Sequence, residues 1–148
     1  MKKSTRSYLV DVNVWLALVY DLHVHHDTVR QWFETLETGG ALFCRTTQLG
    51  LLRLLTNPRV MGQDVLSQRA AWQVYDRTAQ DARVAFLSEP ARVEPEFRRL
   101  TQSSHPATNV WSDAYLAAVA ATAGLSVATL DRAFASLPGV ASFCLLSQ

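Results

Sequence analysis

The chain has 148 residues, of which 49% are hydrophobic, and its 14 Lys and Arg nearly balance 13 Asp and Glu, for a net charge of +1. This length and composition indicate one domain, residues 1–148, with a real core, and they exclude intrinsic disorder. The charge balance argues against a broadly basic nucleic-acid-binding coat. The apolar run from Val14 to Tyr20 is too short to cross a bilayer, so no membrane association is expected.

The two cysteines, Cys44 and Cys144, lie in apolar runs and form neither a CxxC motif nor a zinc-ligand spacing. We interpret them as buried free thiols. Because nothing indicates a disulfide scaffold, we expect the protein to reside in the reducing cytoplasm.

Short apolar runs alternate with helical patterns along the chain. Strands are predicted at 8–12, 41–44, 84–87, 125–129 and 141–145. Helices are predicted at 14–20, 25–37, 46 or 47 to 55, 64–78, 95–101 and 113–122, with Asn57-Pro58 ending the third and Ser112 capping the last. Helical spacing places these side chains inward: Val29, Trp32, Phe33, Leu36, Val65, Ala71, Trp72 and Tyr75.

The predicted strands are apolar throughout, which is typical of parallel strands covered on both faces. We therefore predict a three-layer α/β/α fold, with a parallel sheet of about four or five strands flanked by helices. In such sheets the functional site lies outside the carboxyl ends of the strands.

Three acids stand where such a site is expected. Asp11 ends the first strand, Asp131 follows the fourth, and Asp113 opens the helix before the fourth. Converging carboxylates repel one another unless a cation neutralises them, and hard oxygen ligands select Mg²⁺ or Mn²⁺. Asn13 could orient the ligands of such an ion. Each acid could equally serve as a cap, a helix-start acid or a turn residue, so spacing alone leaves both interpretations open.

Five segments in order carry a more specific signal. They are LVDVNVWLAL (9–18), HVHH (23–26), TQLGLLRLLT (47–56), WSDAYLAA (111–118) and ATLDRAF (128–134). Together they resemble the PIN-domain family, and specifically the VapC-type ribonuclease toxins of type II toxin–antitoxin pairs. The resemblance extends over nearly the whole chain.

The resemblance implies a Mg²⁺- or Mn²⁺-dependent endoribonuclease that cuts cellular tRNA, rRNA or mRNA and so halts translation and growth. It implies that Asp11, Asp113 and Asp131 are the metal-binding and catalytic acids, and that Asn13 is a catalytic residue beside them. Thr129 matches a polar position next to the last acid and is a candidate substrate contact. The implied partners are a small VapB-like antitoxin and a second copy of the chain.

One departure from the family pattern affects catalysis. Many members carry a Glu in the third helix, where this chain has no acid, and Gly50 or Gln48 stands nearest, depending on the alignment. The number of bound ions, one or two, therefore stays open. The alternative function is a catalytically weak PIN-like module that binds RNA or another protein. A small-molecule-binding α/β domain is disfavoured, because it predicts a Gly-rich phosphate loop after the first strand and none is present.

Other polar and aromatic residues are candidate substrate contacts. Arg53 lies one turn after Gly50 and could bind phosphate or pair with an Asp, with a solvated surface position as the alternative. Gln48 could bind a water ligand of the ion. Trp111 lies just before Asp113 and could be near the substrate, with core or dimer packing as the alternative. The histidines at 23, 25 and 26 lack a metal-ligand spacing, which favours packing and capping, with contact to RNA or antitoxin as the alternative.

Overall fold

Five short parallel strands form the centre of the protein, in the order β3-β2-β1-β4-β5. The structure is a computed structural model that describes residues 6–135, 137 and 139–147. The strands are β1 (Tyr8–Val10), β2 (Ala41–Phe43), β3 (Val84–Phe86), β4 (Ser126–Thr129) and β5 (Ser142–Cys144). Leu9 of the central strand pairs with Leu42 on one side and Val127 on the other. The predicted parallel α/β sheet is confirmed, and the strands are slightly shorter than expected.

Helices connect the strands on both faces of the sheet. They are α1 (Val12–Val19), α2 (His26–Phe33), α3 (Arg45–Leu55), α4 (Pro58–Met61), α5 (Gln68–Ala79), α6 (Val93–Leu100), α7 (Trp111–Thr122) and α8 (Arg132–Ala135). Two 3₁₀ turns cover Gly62–Asp64 and Leu145–Ser147. None of the helices in the described residues is long and apolar enough to span a membrane.

Two hydrophobic clusters, one on each face, hold the layers together. In the first, the rings of Trp15 and Phe43 stack with centroids 3.8 Å apart, and Tyr75 meets Phe43 edge-on. This cluster joins α1, α2, α3 and α5 to the sheet. The second packs α6 and α7 against the other face, around Leu9 and Val127. These clusters make the fold the predicted three-layer α/β/α arrangement.

The cysteines match the prediction, since Cys44 and Cys144 are buried and neither forms a disulfide. The histidines serve local structure. The ring Nδ1 of His23 accepts a hydrogen bond from the His25 backbone N–H at 3.0 Å, and His26 Nδ1 lies 2.7 Å from the carbonyl oxygen of Ala17 in α1. These contacts support the packing and capping interpretation of this cluster.

The third helix ends at Leu55, as predicted, just before Asn57-Pro58. The Asn57 side chain accepts the backbone N–H of Arg59, and Pro58 is the first residue of the next helix, α4, where its missing N–H is harmless. Ser112 does not cap α7, because the helix already begins at Trp111.

Two residues predicted to face inward on or near α5 are instead largely exposed, Val65 at 38% and Trp72 at 46%. Val65 lies before the helix, which begins after Ser67, whose side chain accepts the N–H of Ala70. Ala71 and Tyr75, four positions apart, carry the buried face of α5, and Trp72 lies beside that face.

The buried face of α3 provides a test of the fold. Leu51 is fully buried, so Leu51→Ala is expected to lower the free energy of unfolding by about 2–5 kcal/mol through lost burial and a cavity. Leu22 is 73% exposed, and Leu22→Ala is the matched control, with an expected change within about 0.5 kcal/mol. Urea unfolding followed by circular dichroism measures both, and equal losses would contradict this packing.

Candidate functional site

The carboxyl ends of the neighbouring strands β1 and β4 bring distant polar residues together. Asp11 follows β1 directly, and its backbone N–H donates to the carbonyl of Ala128 at 2.9 Å. Thr129 is the last residue of β4, and Asp131 follows two positions later. The prediction that the acids lie at this edge of the sheet therefore has a direct structural cause, the parallel pairing of β1 with β4.

The Asp11 carboxylate is held from two sides. One oxygen accepts the backbone N–H of Val12 at 2.8 Å, which makes Asp11 the N-cap of α1. The other accepts the hydroxyl of Thr129, also at 2.8 Å. Asp11 thus caps a helix, as one interpretation of the sequence held, and still stands at the site.

The turn after β4 is fixed by the same group of residues. The Thr129 hydroxyl oxygen accepts the Asp131 N–H at 3.0 Å, and an Asp131 carboxylate oxygen accepts the Ala133 N–H at 2.9 Å. Asn13 accepts the Leu130 N–H at 3.2 Å through its side-chain oxygen. Asn13 therefore ties the start of α1 to the turn that carries Asp131.

Thr129 does not have the position expected of a substrate contact. Its side chain is fully buried, and its hydroxyl hydrogen points to Asp11. The structure instead places Thr129 behind the acids, where it orients Asp11 and the backbone of Asp131.

The acids interact electrostatically. Burial raises the pKa of Asp11, the hydrogen bonds from Thr129 and Val12 oppose that rise, and the charge of Asp131 adds to it. Burial also raises the pKa of Asp113, and the charges of Asp11 and Asp131 raise it further. Mutual repulsion of this kind is typical of functional sites and is relieved when a cation binds.

A cavity of about 370 Å³ opens in front of Asp11 and Asp113. Its other wall is formed by α3, which contributes Leu49, Gly50 and Arg53. The guanidinium of Arg53 has no ion-pair or hydrogen-bond partner in the part of the chain that the structure describes, and the residue is exposed. The cavity therefore combines carboxylates on one wall with a free cationic group on the other.

Two predicted substrate contacts are not among the residues that line this cavity. Gln48 is buried and its side-chain oxygen accepts a hydrogen bond from Arg45 at 2.6 Å, so it is not presented to the acids. Trp111 is 53% exposed and packs edge-on against Phe97, one residue before Ser112, which does line the cavity.

The two α3 residues that stand nearest the missing acid differ in their position relative to the cavity. Gly50, and not Gln48, faces the cavity. A Cβ atom at position 50 would lie only 2.5 Å from Cγ2 of Val12, so the close approach of α3 to α1 leaves no room there for a carboxylate side chain without a shift.

The chemistry of these side chains fits a hard divalent cation. Asp11, Asp113 and Asp131 offer carboxylate oxygens, which Mg²⁺ and Mn²⁺ prefer, and neutralisation would relieve their repulsion. Within the described residues, however, no group of three or more His, Cys, Asp or Glu side chains is set closely enough to hold a metal ion as it stands. The acids fit such an ion by charge and ligand type, and not as a ready-made cage.

Comparison with known proteins shows the family to which the chain belongs. Residues 8–140 match the family model described as the PIN domain. The chain belongs to the PIN-domain family. It is 42% identical over 137 residues to Ribonuclease VapC41 of Mycobacterium tuberculosis, covering 89% of this chain and 94% of that protein. This match makes it a VapC-type member of the family.

Solved structures share the fold of this PIN-domain chain. VapBC2 from Rickettsia felis, bound to a DNA fragment from its promoter, superimposes with a TM-score of 0.64 at 10% identity, over 93% of this chain and 97% of that one. Mycobacterium tuberculosis VapC20, described as a sarcin–ricin loop cleaving toxin, gives 0.63 at 18% identity, over 90% and 96%. At these identities the likeness concerns the fold alone.

Sequence reasoning missed the contacts that arrange the site. Neither the bond from Thr129 to Asp11 nor the approach of Val12 to Gly50 has a local signal, because each joins segments that are distant in the chain. A glycine within an otherwise helical pattern, as at position 50, is the one available sign of a close packing contact.

The raised pKa of Asp113 makes stability depend on pH. Because the pKa is higher in the folded chain than its ordinary value of 3.8, the folded state binds more protons between these two pKa values. Stability therefore falls as pH rises through this window, and the loss is complete above the folded-state pKa. In EDTA, Asp113→Asn is expected to raise the urea midpoint at neutral pH, with the gain vanishing at acidic pH.

Asp27, an exposed acid in the first turn of α2, is the matched control for that measurement. Asp27→Asn removes a charge favoured by the helix N-terminus and should lower stability by about 0.3–1 kcal/mol at neutral pH. A lower midpoint for Asp113→Asn as well would show that repulsion among the acids does not dominate at the site.

Proposed function

We propose that this PIN domain is the toxin of a type II toxin–antitoxin pair and that it hydrolyses phosphodiester bonds in RNA. The observation that carries the proposal is the cavity in which Asp11 and Asp113 face Arg53, with Asp131 coupled to both acids by charge. The identity of 42% to a protein named a ribonuclease supports the same activity.

Each residue of the site has a role in this proposal. Asp11, Asp113 and Asp131 hold one Mg²⁺ or Mn²⁺, and such an ion, when bound, neutralises charge on a phosphate and makes water a better nucleophile. Thr129 fixes one oxygen of Asp11, and Asn13 fixes the backbone of the β4–α8 turn. The lack of an acid at Gly50 favours a single tightly held ion.

Arg53 is the proposed phosphate-binding residue. It lies on the wall opposite the acids and has no carboxylate partner among the described residues, so its charge is available to a ligand. A guanidinium can form two parallel hydrogen bonds with phosphate oxygens. With three acids assigned to the site, the chain keeps 14 basic against 10 acidic side chains elsewhere, a mildly favourable balance for RNA.

The proposed protein partner is a small VapB-like antitoxin, and the proposed location of the pair is the cytoplasm. The structures of VapBC2 and of FitAB, each bound to a DNA fragment, share this fold and support such a pairing. An antitoxin side chain with positive charge could neutralise the same carboxylates and so block the site. We also propose a homodimer formed through helical faces.

The acids provide the decisive test of the activity. Purified chain incubated with tRNA and rRNA should cleave RNA with Mg²⁺ or Mn²⁺ and not with EDTA. Asp11→Asn and Asp113→Asn should each reduce the initial rate by more than about 100-fold, because even the outer hydrogen-bond partners of metal ligands contribute about 10- to 100-fold. Asp27→Asn is the matched control and should cleave like the wild type.

The second candidate is an RNA-binding or interaction module with little catalysis. It is favoured by the absence of a closely set ligand group among the described residues and by the glycine at position 50. RNA binding by the wild type without metal-dependent cleavage would establish this function instead. Cleavage that persists unchanged in both Asn variants would show that the acids are not the catalytic residues.

Arg53 can be tested separately from the acids. Arg53→Ala should raise KM about 10- to 150-fold with little change in kcat, because a charge-assisted bond to phosphate contributes about 1.5–3 kcal/mol to binding. Arg59→Ala, which removes an exposed arginine from α4 rather than from the cavity, is the control. Steady-state kinetics on a short fluorescent RNA measure both, and equal KM values for the two variants would remove Arg53 from the proposed site.

A further inference from the structure

Gly50 lies in the middle of α3 at the point where this helix comes closest to α1. A Cβ atom built there would lie 2.5 Å from Cγ2 and 3.4 Å from Cβ of Val12. Real Cβ contacts essentially never reach the first of these distances, so a side chain at position 50 requires a neighbour to move. Glycine is also among the poorest helix-forming residues, which indicates that packing, and not local preference, explains its presence.

Val12 has little freedom to move away. Its side chain is β-branched and prefers one χ1 rotamer in a helix, and in the observed rotamer Cγ2 occupies the space that a Cβ atom at position 50 would need. Val12 is also the first residue of α1, and its neighbours Val14 and Trp15 are fully buried. A side chain at position 50 would therefore force Val12 into a less favourable rotamer or displace the start of α1.

The start of α1 is where Asp11 is held. The Val12 N–H donates to one oxygen of the Asp11 carboxylate, while the Thr129 hydroxyl, on a buried strand, fixes the other oxygen. The carboxylate thus spans two elements. A shift of Val12 relative to β4 must turn the carboxylate or lengthen one of its two hydrogen bonds.

We propose that Gly50 is a positioning residue, whose missing side chain lets Val12 settle against α3 and so sets the orientation of the Asp11 carboxylate toward the cavity. The inference rests on the proposed function only where kcat is measured, because that measurement requires the chain to cleave RNA. In this proposal Gly50 orients Asp11 through Val12, a role separate from the absence of an acid at position 50.

A double-mutant cycle between positions 12 and 50 tests the proposal. Gly50→Ala should lower the thermal unfolding midpoint, although alanine is the better helix former, and should shift the backbone amide signals of Val12 and Asp131 in metal-free NMR spectra. It should also weaken Mn²⁺ binding in calorimetry and lower kcat, each by about 10-fold, since outer contacts of metal ligands have effects of this size.

Val12→Ala removes the Cγ2 methyl group that obstructs position 50, so it is the expected rescue. In Gly50→Ala/Val12→Ala, the Asp131 amide signal should return to its position in Val12→Ala alone, because the new methyl group fills the space that Val12 has left. The Mn²⁺ affinity and kcat should return to within about threefold of their values in Val12→Ala. If Gly50→Ala alone does not fold, recovery in the double variant still supports the proposal. A double variant that recovers none of these properties overturns it.

Leu51→Ala separates orientation from stability. Leu51 is a neighbouring core residue, so this variant should lower the unfolding midpoint while leaving the Asp131 amide signal and the Mn²⁺ affinity unchanged. If Leu51→Ala weakens Mn²⁺ binding as much as Gly50→Ala does, the effect of Gly50 is on stability alone. If the wild type does not cleave RNA, the proposed function fails, while the unfolding and NMR cycle still decides the role of Gly50. Unchanged amide signals in Gly50→Ala would reject the proposal whether or not RNA is cleaved.

Discussion

The hydrogen bond from the Thr129 hydroxyl to the Asp11 carboxylate is the interaction on which the site depends. It joins residues 118 positions apart and links the ends of the paired strands β1 and β4. The same hydroxyl accepts the N–H of Asp131, so one buried side chain sets the positions of two acids. Asp11 in turn caps α1, which packs against α3 and forms one wall of the cavity. The positions of the sheet, the first helix and the acids therefore depend on one another.

The burial and closeness of the acids lower the stability of the folded chain. Burial and mutual repulsion raise the pKa of Asp11 and Asp113, so their charged forms are less favourable in the folded chain than in water. Such local conflicts are typical of functional sites, where binding rather than folding sets the requirement. The near-zero net charge hides this arrangement, because it averages a concentrated acidic edge with a mildly basic remainder.

Most of the fold was predictable from the sequence, and each wrong prediction has an identifiable physical cause. Continuous apolar strands require cover on both faces, which is why the three layers could be predicted before any contact was known. Helices α4 and α8 have only four residues each, about one turn, and so carry no periodic pattern. Trp72 is predicted to face inward because residues 71, 72 and 75 lie on one side of the helix. Only packing against the neighbouring α3 and β2 decides which of these side chains is buried.

The sequence by itself determined the chemistry of the site, because the identity of the acids, their places after apolar strands and the motifs around them are local properties. Only the tertiary structure decided which side chains share the cavity. Periodicity places Gly50 and Arg53 on one face of α3 and Gln48 on another, but it does not orient the helix against the sheet, so the face that borders the cavity could not be predicted. That orientation is set by packing, at the point where Val12 and Gly50 approach too closely for any intervening side chain.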